Sequence, residues 1–254
     1  MPLLSSLNFY FNNCKLPWRN IVFIMTKYET NLYNLIMKKR KETALKSTQR
    51  TAKELEKLSP KEVLKMLKQG NRDFVGDKLT VRNNSKRVRD AALGQKPIAA
   101  VLSCLDSRLP VEDIFHRGIG EIFVARVAGN IINGDIIGSL EFACKASTAK
   151  LILILGHEHC GAVSASIDDY KLGHFTALLS KIKPAVKKAS AGFKGEQSSR
   201  NPKFVKNVSI ENVKVSLETL RKQSPLLKKL EDEGKIMIIG GMYNMRRGRV
   251  RFLK

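Results

Sequence analysis

The sequence predicts an α/β fold with a mainly parallel central sheet flanked by helices, and three observations support this. From residue 59 onward, short apolar runs alternate with stretches of helical period. Two of the runs, in "KPIAAVLSCLD" and "AKLILILGH", are apolar without interruption, as strands buried on both faces are. Helix start and stop signals fall between the runs, which is the punctuation of β-α-β units.

Taken in order, "SPKEVLKMLKQGNRDFV" opens the compact domain. Ser59 caps, Pro60 suits the first helical position, and Glu62 completes a capping box. Val63, Leu64 and Leu67 form the apolar stripe, and Gly70 supplies the stop. After a polar link, "KPIAAVLSCLD" reads as the first strand, "PVEDIFHRGIG" as a short helix or turn, and "EIFVARVAGN" as the second strand. "GDIIGSLEFACKAS" reads as a helix packed by Ile136, Ile137, Leu140 and Phe142, with Cys144 a small buried side chain. "AKLILILGH" is the third strand, and "GAVSASIDDY" opens the next helix. Residues 175–200 hold a helix and then a loop ending in "SAGFKGEQSSRNP". "FVKNVSIENVKVSLETLRK" is helical, and "SPLLKKLEDEG" repeats the Ser-Pro start and Gly stop. "KIMIIGGMYNMRRGRVRFL" closes as strand, turn and strand.

Residues 1–58 read as an N-terminal extension to a domain spanning 59–254. The extension contains no acid before Glu29 and carries Lys15, Arg19 and Lys27, a composition that fits a targeting segment, although no apolar core and cleavage site follow. Met25 is an alternative start. "MKKRKETALKSTQRTAKELEKL", residues 37–58, has the propensity of an exposed, highly charged helix or arm.

A hydrophobic content of 43% with 27% charged residues is that of an ordinary globular chain, and no apolar run approaches membrane-spanning length. The net charge of +23 points toward nucleic acid, but its distribution argues against that. Residues 81–175 carry 11 Lys and Arg against 10 Asp and Glu, so the basic excess lies outside the segment that holds the chemistry. The basic runs also lack interleaved aromatics, and no nucleic-acid partner is expected. Four cysteines, Cys14, Cys104, Cys144 and Cys160, are too few and too dispersed for a disulfide framework. Two of them sit beside His, Asp and Arg, which favours metal binding in a reducing compartment. A cytoplasmic location is therefore expected, with targeting by the extension as the alternative.

The chemistry gathers at two strand ends. In an open parallel sheet, ligands collect at the carboxyl ends of the strands, and both Cys104 and His157 lie there. Cys160 follows His157 by three residues, so both can face one point from a turn entering a helix. Two thiolates and one imidazole suit tetrahedral zinc, and three protein ligands with one open position are what a catalytic zinc requires. His159 adjoins Cys160, so the two could share a metal only with strain; His159 reads as exposed and Glu158 as surface. Asp106 and Arg108 alternate on an extended segment, where a guanidinium can pair bidentately with a carboxylate. Held this way, Asp106 stays ionised and can accept a hydrogen bond from zinc-bound hydroxide.

"CLDSR" and "HEHC" together resemble the Cys-x-Asp-x-Arg and His-x-x-Cys motifs of the β-class carbonic anhydrases. The likeness continues through "SPKEVLKMLKQGNRDF", "RGIGEIFVARVAGN", "GSLEFA", "GHEHCGAV" and "GMYNMRRGRVRF", covering roughly residues 59–254. It implies the β-carbonic-anhydrase fold, with zinc-dependent, reversible hydration of carbon dioxide to bicarbonate and a proton. Cys104, His157 and Cys160 would be the ligands of one Zn2+ per subunit, and Asp106 with Arg108 the catalytic dyad. It implies a homodimer or homotetramer, with the N-terminal helix embracing the partner subunit. It also implies a second, inactive state in which Asp106 becomes the fourth ligand. Gly129, Asn130 and Gly161 match the family's tight turns, as positions where a side chain would clash or φ is positive. His116 and His174 match no motif and read as structural or solvent-facing. Two rival functions are a hydrolase of a sulfur analogue such as carbon disulfide or carbonyl sulfide, and a zinc-stabilised module binding through its basic flanks.

Overall fold

The structure, a computed structural model, describes residues 57–79, 84–92 and 94–253. These all lie in the compact unit Arg50–Lys254. Residues 1–56, which include most of the expected extension and its helix, lie outside the described residues.

The alternation read from sequence is the alternation observed. Helix α1 (Pro60–Val75) carries the capping box: the Ser59 hydroxyl accepts from the Glu62 N–H, and the Ser59 N–H donates to the Glu62 carboxylate at 2.8 Å. Helix α2 (Asn84–Ala91) occupies the polar link, where no apolar stripe announces a helix. Then come β1 (Ala99–Ser103), the single-turn α3 (Val111–Ile114) and β2 (Ile122–Arg126). A 3-10 turn (Ala128–Asn130) leads to α4 (Gly134–Glu141), a π-helical turn (Phe142–Ala146) and β3 (Leu151–His157). Helices α5 (Gly161–Ile167), α6 (Gly173–Ser180), α7 (Lys183–Ser190), α8 (Pro202–Gln223) and α9 (Pro225–Asp232) precede the final strands β4 (Met237–Tyr243) and β5 (Val250–Leu253). Among the described residues, no helix is long and apolar enough to cross a membrane.

The strands form one sheet in the order β2-β1-β3-β4-β5, parallel except for the antiparallel β4–β5 pair. Strands β1 and β3 are wholly buried because both faces are covered. Ala99, Val101, Leu151, Leu153 and Leu155 pack on one face with Leu67 of α1 and Ile114 of α3. Ala100, Leu102, Ile152 and Ile154 pack on the other with Leu140 of α4 and Val213, Leu217 and Leu220 of α8. The chain leaves β1 toward the α3 face and β3 toward the α8 face. The crevice between their carboxyl ends is therefore a topological switch point, where open α/β sheets bind ligands.

Three local expectations need correction. Gly70 does not stop α1. The helix runs on to Val75, and Gly70 is buried within it, where a Cβ would lie 1.8 Å from the Phe115 carbonyl oxygen. The glycine is there for close approach. Phe142 does not pack the core: it is 57% exposed on the π-helical turn, edge-on to Phe123 at 6.1 Å. Phe142 keeps α-helical angles and stands two positions past the buried Leu140, about 200° round a helix of 3.6 residues per turn, so it faces away from the core. Residues 175–190 hold parts of two short helices, α6 and α7, instead of one.

Gly70→Ala should destabilise the fold. Alanine gains about 1 kcal/mol of helix propensity over glycine, but overlap with a fixed backbone carbonyl costs about 1–3 kcal/mol or more. The overlap wins, and the denaturant midpoint should fall relative to wild type.

Candidate metal centre

Cys104 follows β1 directly, and His157 is the last residue of β3. Because Ser103 pairs in register with Leu155, the two side chains emerge within one residue of each other along the sheet. Cys160 enters from the start of α5, whose N-cap it occupies. All three residues are buried, and their ligand atoms lie within 4.8 Å of one another, the only such grouping of His, Cys, Asp and Glu among the described residues. The two sulfurs are 3.9 Å apart.

The chemistry of this group fits a metal ion. His157 Nδ1 is 2.9 Å from the Glu158 carbonyl oxygen, which can only accept, so Nδ1 carries the proton. That leaves the Nε2 lone pair facing inward, buried and without a hydrogen-bond partner. An orphaned nitrogen beside two sulfurs is costly as a void and satisfied by a cation. The sulfurs also behave as a pair. The Cys160 thiol donating to Cys104 pulls Cys104 down to about 4 against the opposing effect of burial. The same bond, with burial, pushes Cys160 up. Binding of a metal cation by such a pair releases thiol protons. Cys144 stands apart, its thiol pushed up to about 12 by burial.

Asp106 and Arg108 do form a fork. Arg108 Nε donates to Oδ1 at 2.9 Å, Nη2 to Oδ2 at 2.7 Å, and the Arg108 N–H to Oδ1 at 3.0 Å. Those bonds hold the Asp106 carboxyl at about 2. Both carboxylate oxygens face Arg108, and Asp106 is not among the clustered ligand atoms.

Several residues gained roles that their motifs did not announce. Arg126, at the end of β2, donates to three consecutive carbonyls: Cys104 at 3.1 Å, Leu105 at 3.2 Å, and Asp106. Its signal was its register opposite Ser103 in the parallel ladder, one residue before Cys104. The Gly129 N–H donates to Cys104 Sγ at 3.3 Å. Gly129 has φ 67 and a Cβ there would meet Ile182 at 2.6 Å, and Asn130 has φ 43, as expected of both. Gly161 differs: it starts α5 without positive φ and with open space around it. Glu158 is not a free surface residue, since its side chain is 15% exposed and accepts from Lys206 and from Asn244, each at 2.8 Å. His159 is exposed, with φ 55, and its carbonyl faces Arg108. His174 is exposed on α6, and His116, with φ 50, lies 3.6 Å from Asp73.

The fold and the site define an α/β protein with a buried Cys-His-Cys cluster, of a composition suited to a metal ion, at the switch point of a parallel sheet. Residues 99–250 match the family described as "Carbonic anhydrase". Over 134 residues the chain is 38% identical to carbonic anhydrase 2 of Mycobacterium tuberculosis, covering 50% of this chain and 65% of that protein's length. Over 198 residues it is 30% identical to the carbonic anhydrase of Mycolicibacterium smegmatis, covering 76% of this chain and 92% of that one. The β-carbonic anhydrase CafA of Aspergillus fumigatus shares the fold with a TM-score of 0.60 at 24% identity, over 76% of this chain and 90% of its own. A Coccomyxa β-carbonic anhydrase, solved with acetazolamide, gives 0.60 at 24% identity, over 73% and 83%. The chain belongs to the β-class carbonic anhydrases.

Proposed function

We propose that this chain catalyses the zinc-dependent, reversible hydration of carbon dioxide to bicarbonate and a proton. Cys104, His157 and Cys160 hold the metal, and Asp106 with Arg108 orients the attacking water. The observation that carries the reading is the buried, unpartnered His157 Nε2 facing two sulfurs, with the Asp106 carboxylate, forked by Arg108, two residues from one of them.

Zinc held by these three residues would supply a Lewis acid that lowers the pKa of a bound water to roughly 7. The Glu158 carbonyl fixes the tautomer of His157, and the Gly129 N–H draws charge from the Cys104 sulfur. Asp106 accepts a hydrogen bond from the O–H of the attacking water, aiming its lone pair at carbon. A carboxyl held at about 2 is too weak a base to keep a proton near neutral pH, so Asp106 orients and the proton passes to solvent. Arg108 keeps the carboxylate ionised and turned, and Arg126 fixes the backbone on which Cys104 and Asp106 ride.

The working unit is a homodimer or homotetramer in this reading. Two Sordaria macrospora β-carbonic anhydrases of similar fold (TM-score 0.59, 22% identity) are tetrameric. Here β2 is an edge strand beside the exposed Phe142, a surface suited to burial against a second copy. Zinc-loaded protein should accelerate carbon dioxide hydration in a stopped-flow pH-indicator assay. An uncatalysed rate from a metal-replete chain overturns the proposal.

A further inference from the structure

We infer that Asn212, on α8, is a positioning residue for the metal centre: it fixes the 128–130 turn so that the Gly129 N–H stays on the Cys104 sulfur. The inference rests on the zinc reading above.

Asn212 is 1% exposed on a helix whose other inward side chains include Val208, Val213 and Leu220. A primary amide buried among aliphatics is costly unless it makes a specific bond. It makes one: Nδ2 donates to the Gly129 carbonyl at 2.7 Å, across 83 positions of sequence. The N–H of that same Gly129 donates to Cys104 Sγ at 3.3 Å. Gly129 is thus gripped at its carbonyl by the helix and offers its N–H to a candidate ligand. The grip has little slack, because Gly129 is left-handed and Ile182 crowds the side where a Cβ would stand. One helical turn on, Ser216 Oγ donates to the Asn130 carbonyl at 3.3 Å. Asn130, however, sends its own N–H to Val127, away from the sulfur. Ser216 therefore supports the same turn without addressing the ligand, which makes it an internal control.

An N–H donated to a thiolate withdraws electron density from sulfur, and partners one step beyond the ligands usually govern metal retention and tuning. Losing Asn212 frees the turn, lets the Gly129 N–H drift, and leaves Cys104 a stronger but less well aimed donor.

The test uses the full chain loaded with cobalt(II), whose sulfur-to-metal charge-transfer absorption reports thiolate donation, together with zinc loss to a competing chelator. Asn212→Leu should move the band to lower energy and weaken zinc retention roughly 10-fold or more. Ser216→Ala should lower thermal stability and leave both readouts at wild type. Asn212→Ser, smaller and polar, carries the same readouts if the leucine variant does not fold. A folded Asn212 variant with the wild-type band and wild-type zinc retention overturns the inference, as does a Ser216→Ala variant that moves both equally. Wild type that takes up neither metal overturns the zinc reading itself; metal-loaded wild type with an indifferent Asn212 variant overturns only this step.

Discussion

Asp106→Asn should lower carbon dioxide hydration by about 10²–10³-fold, the range for losing one preorganised hydrogen-bonding group, while zinc content and fold stay at wild-type levels. That corresponds to about 3–4 kcal/mol of barrier. The amide matches the carboxylate in shape but cannot present two acceptor oxygens and a negative charge to Arg108 and water together. The fold tolerates the change because the Arg108 side chain, 56% exposed, can be solvated once its partner is neutral. Stopped-flow rates beside metal analysis on the same sample separate the two effects. Wild-type turnover in the variant would remove the carboxylate from the reaction. Since Asp106 is held at about 2, its protonation should not shape the activity profile near neutral pH.

Cys160→Ser should abolish metal retention. Groups that merely touch a ligand are worth 10–100-fold in affinity, so loss of a ligand itself should weaken zinc binding by at least about 10²-fold. Serine is nearly isosteric, so the buried site does not collapse, yet its hydroxyl is a far poorer zinc donor than a thiolate. Zinc should raise the unfolding temperature of wild type, because a ligand that binds only the folded chain stabilises it by mass action, and should leave Cys160→Ser unmoved. Cys144→Ser is the matched control, since Cys144 lies outside the cluster. Equal zinc-induced shifts in wild type and Cys160→Ser would count against Cys160 as a ligand.

What could be read from sequence follows from how each feature is encoded. Buried parallel strands write themselves as apolar runs, and Ser59, Pro60 and Glu62 announce a helix start through local bonds; the structure has both. Gly70 misleads because a glycine at a close contact and a glycine at a helix stop look alike until the neighbour, here the Phe115 carbonyl, is known. Phe142 misleads because an apolar residue soon after Leu140 looks like more of the same stripe, whereas two positions on a helix of 3.6 residues per turn point it about 200° away. At the site, Cys104, His157 and Cys160 stand out because their side chains carry the signal, and the fold gathers them. Arg126 and Asn212 stay silent in the sequence because they act on backbone carbonyls 20 to 22 and 83 positions away, respectively.

The glycines on β3 and β4 carry one more consequence. A Cβ on Gly156 would lie 2.6 Å from Val213, and one on Gly240 would lie 2.7 Å from the same side chain. Val213 is thus a wedge seated between two bare patches of sheet, next in the chain to Asn212. These three positions cannot drift separately over evolutionary time. A methyl gained at either glycine must be matched by one lost at Val213, or the long helix lifts from the sheet and takes with it whatever its neighbour was steadying.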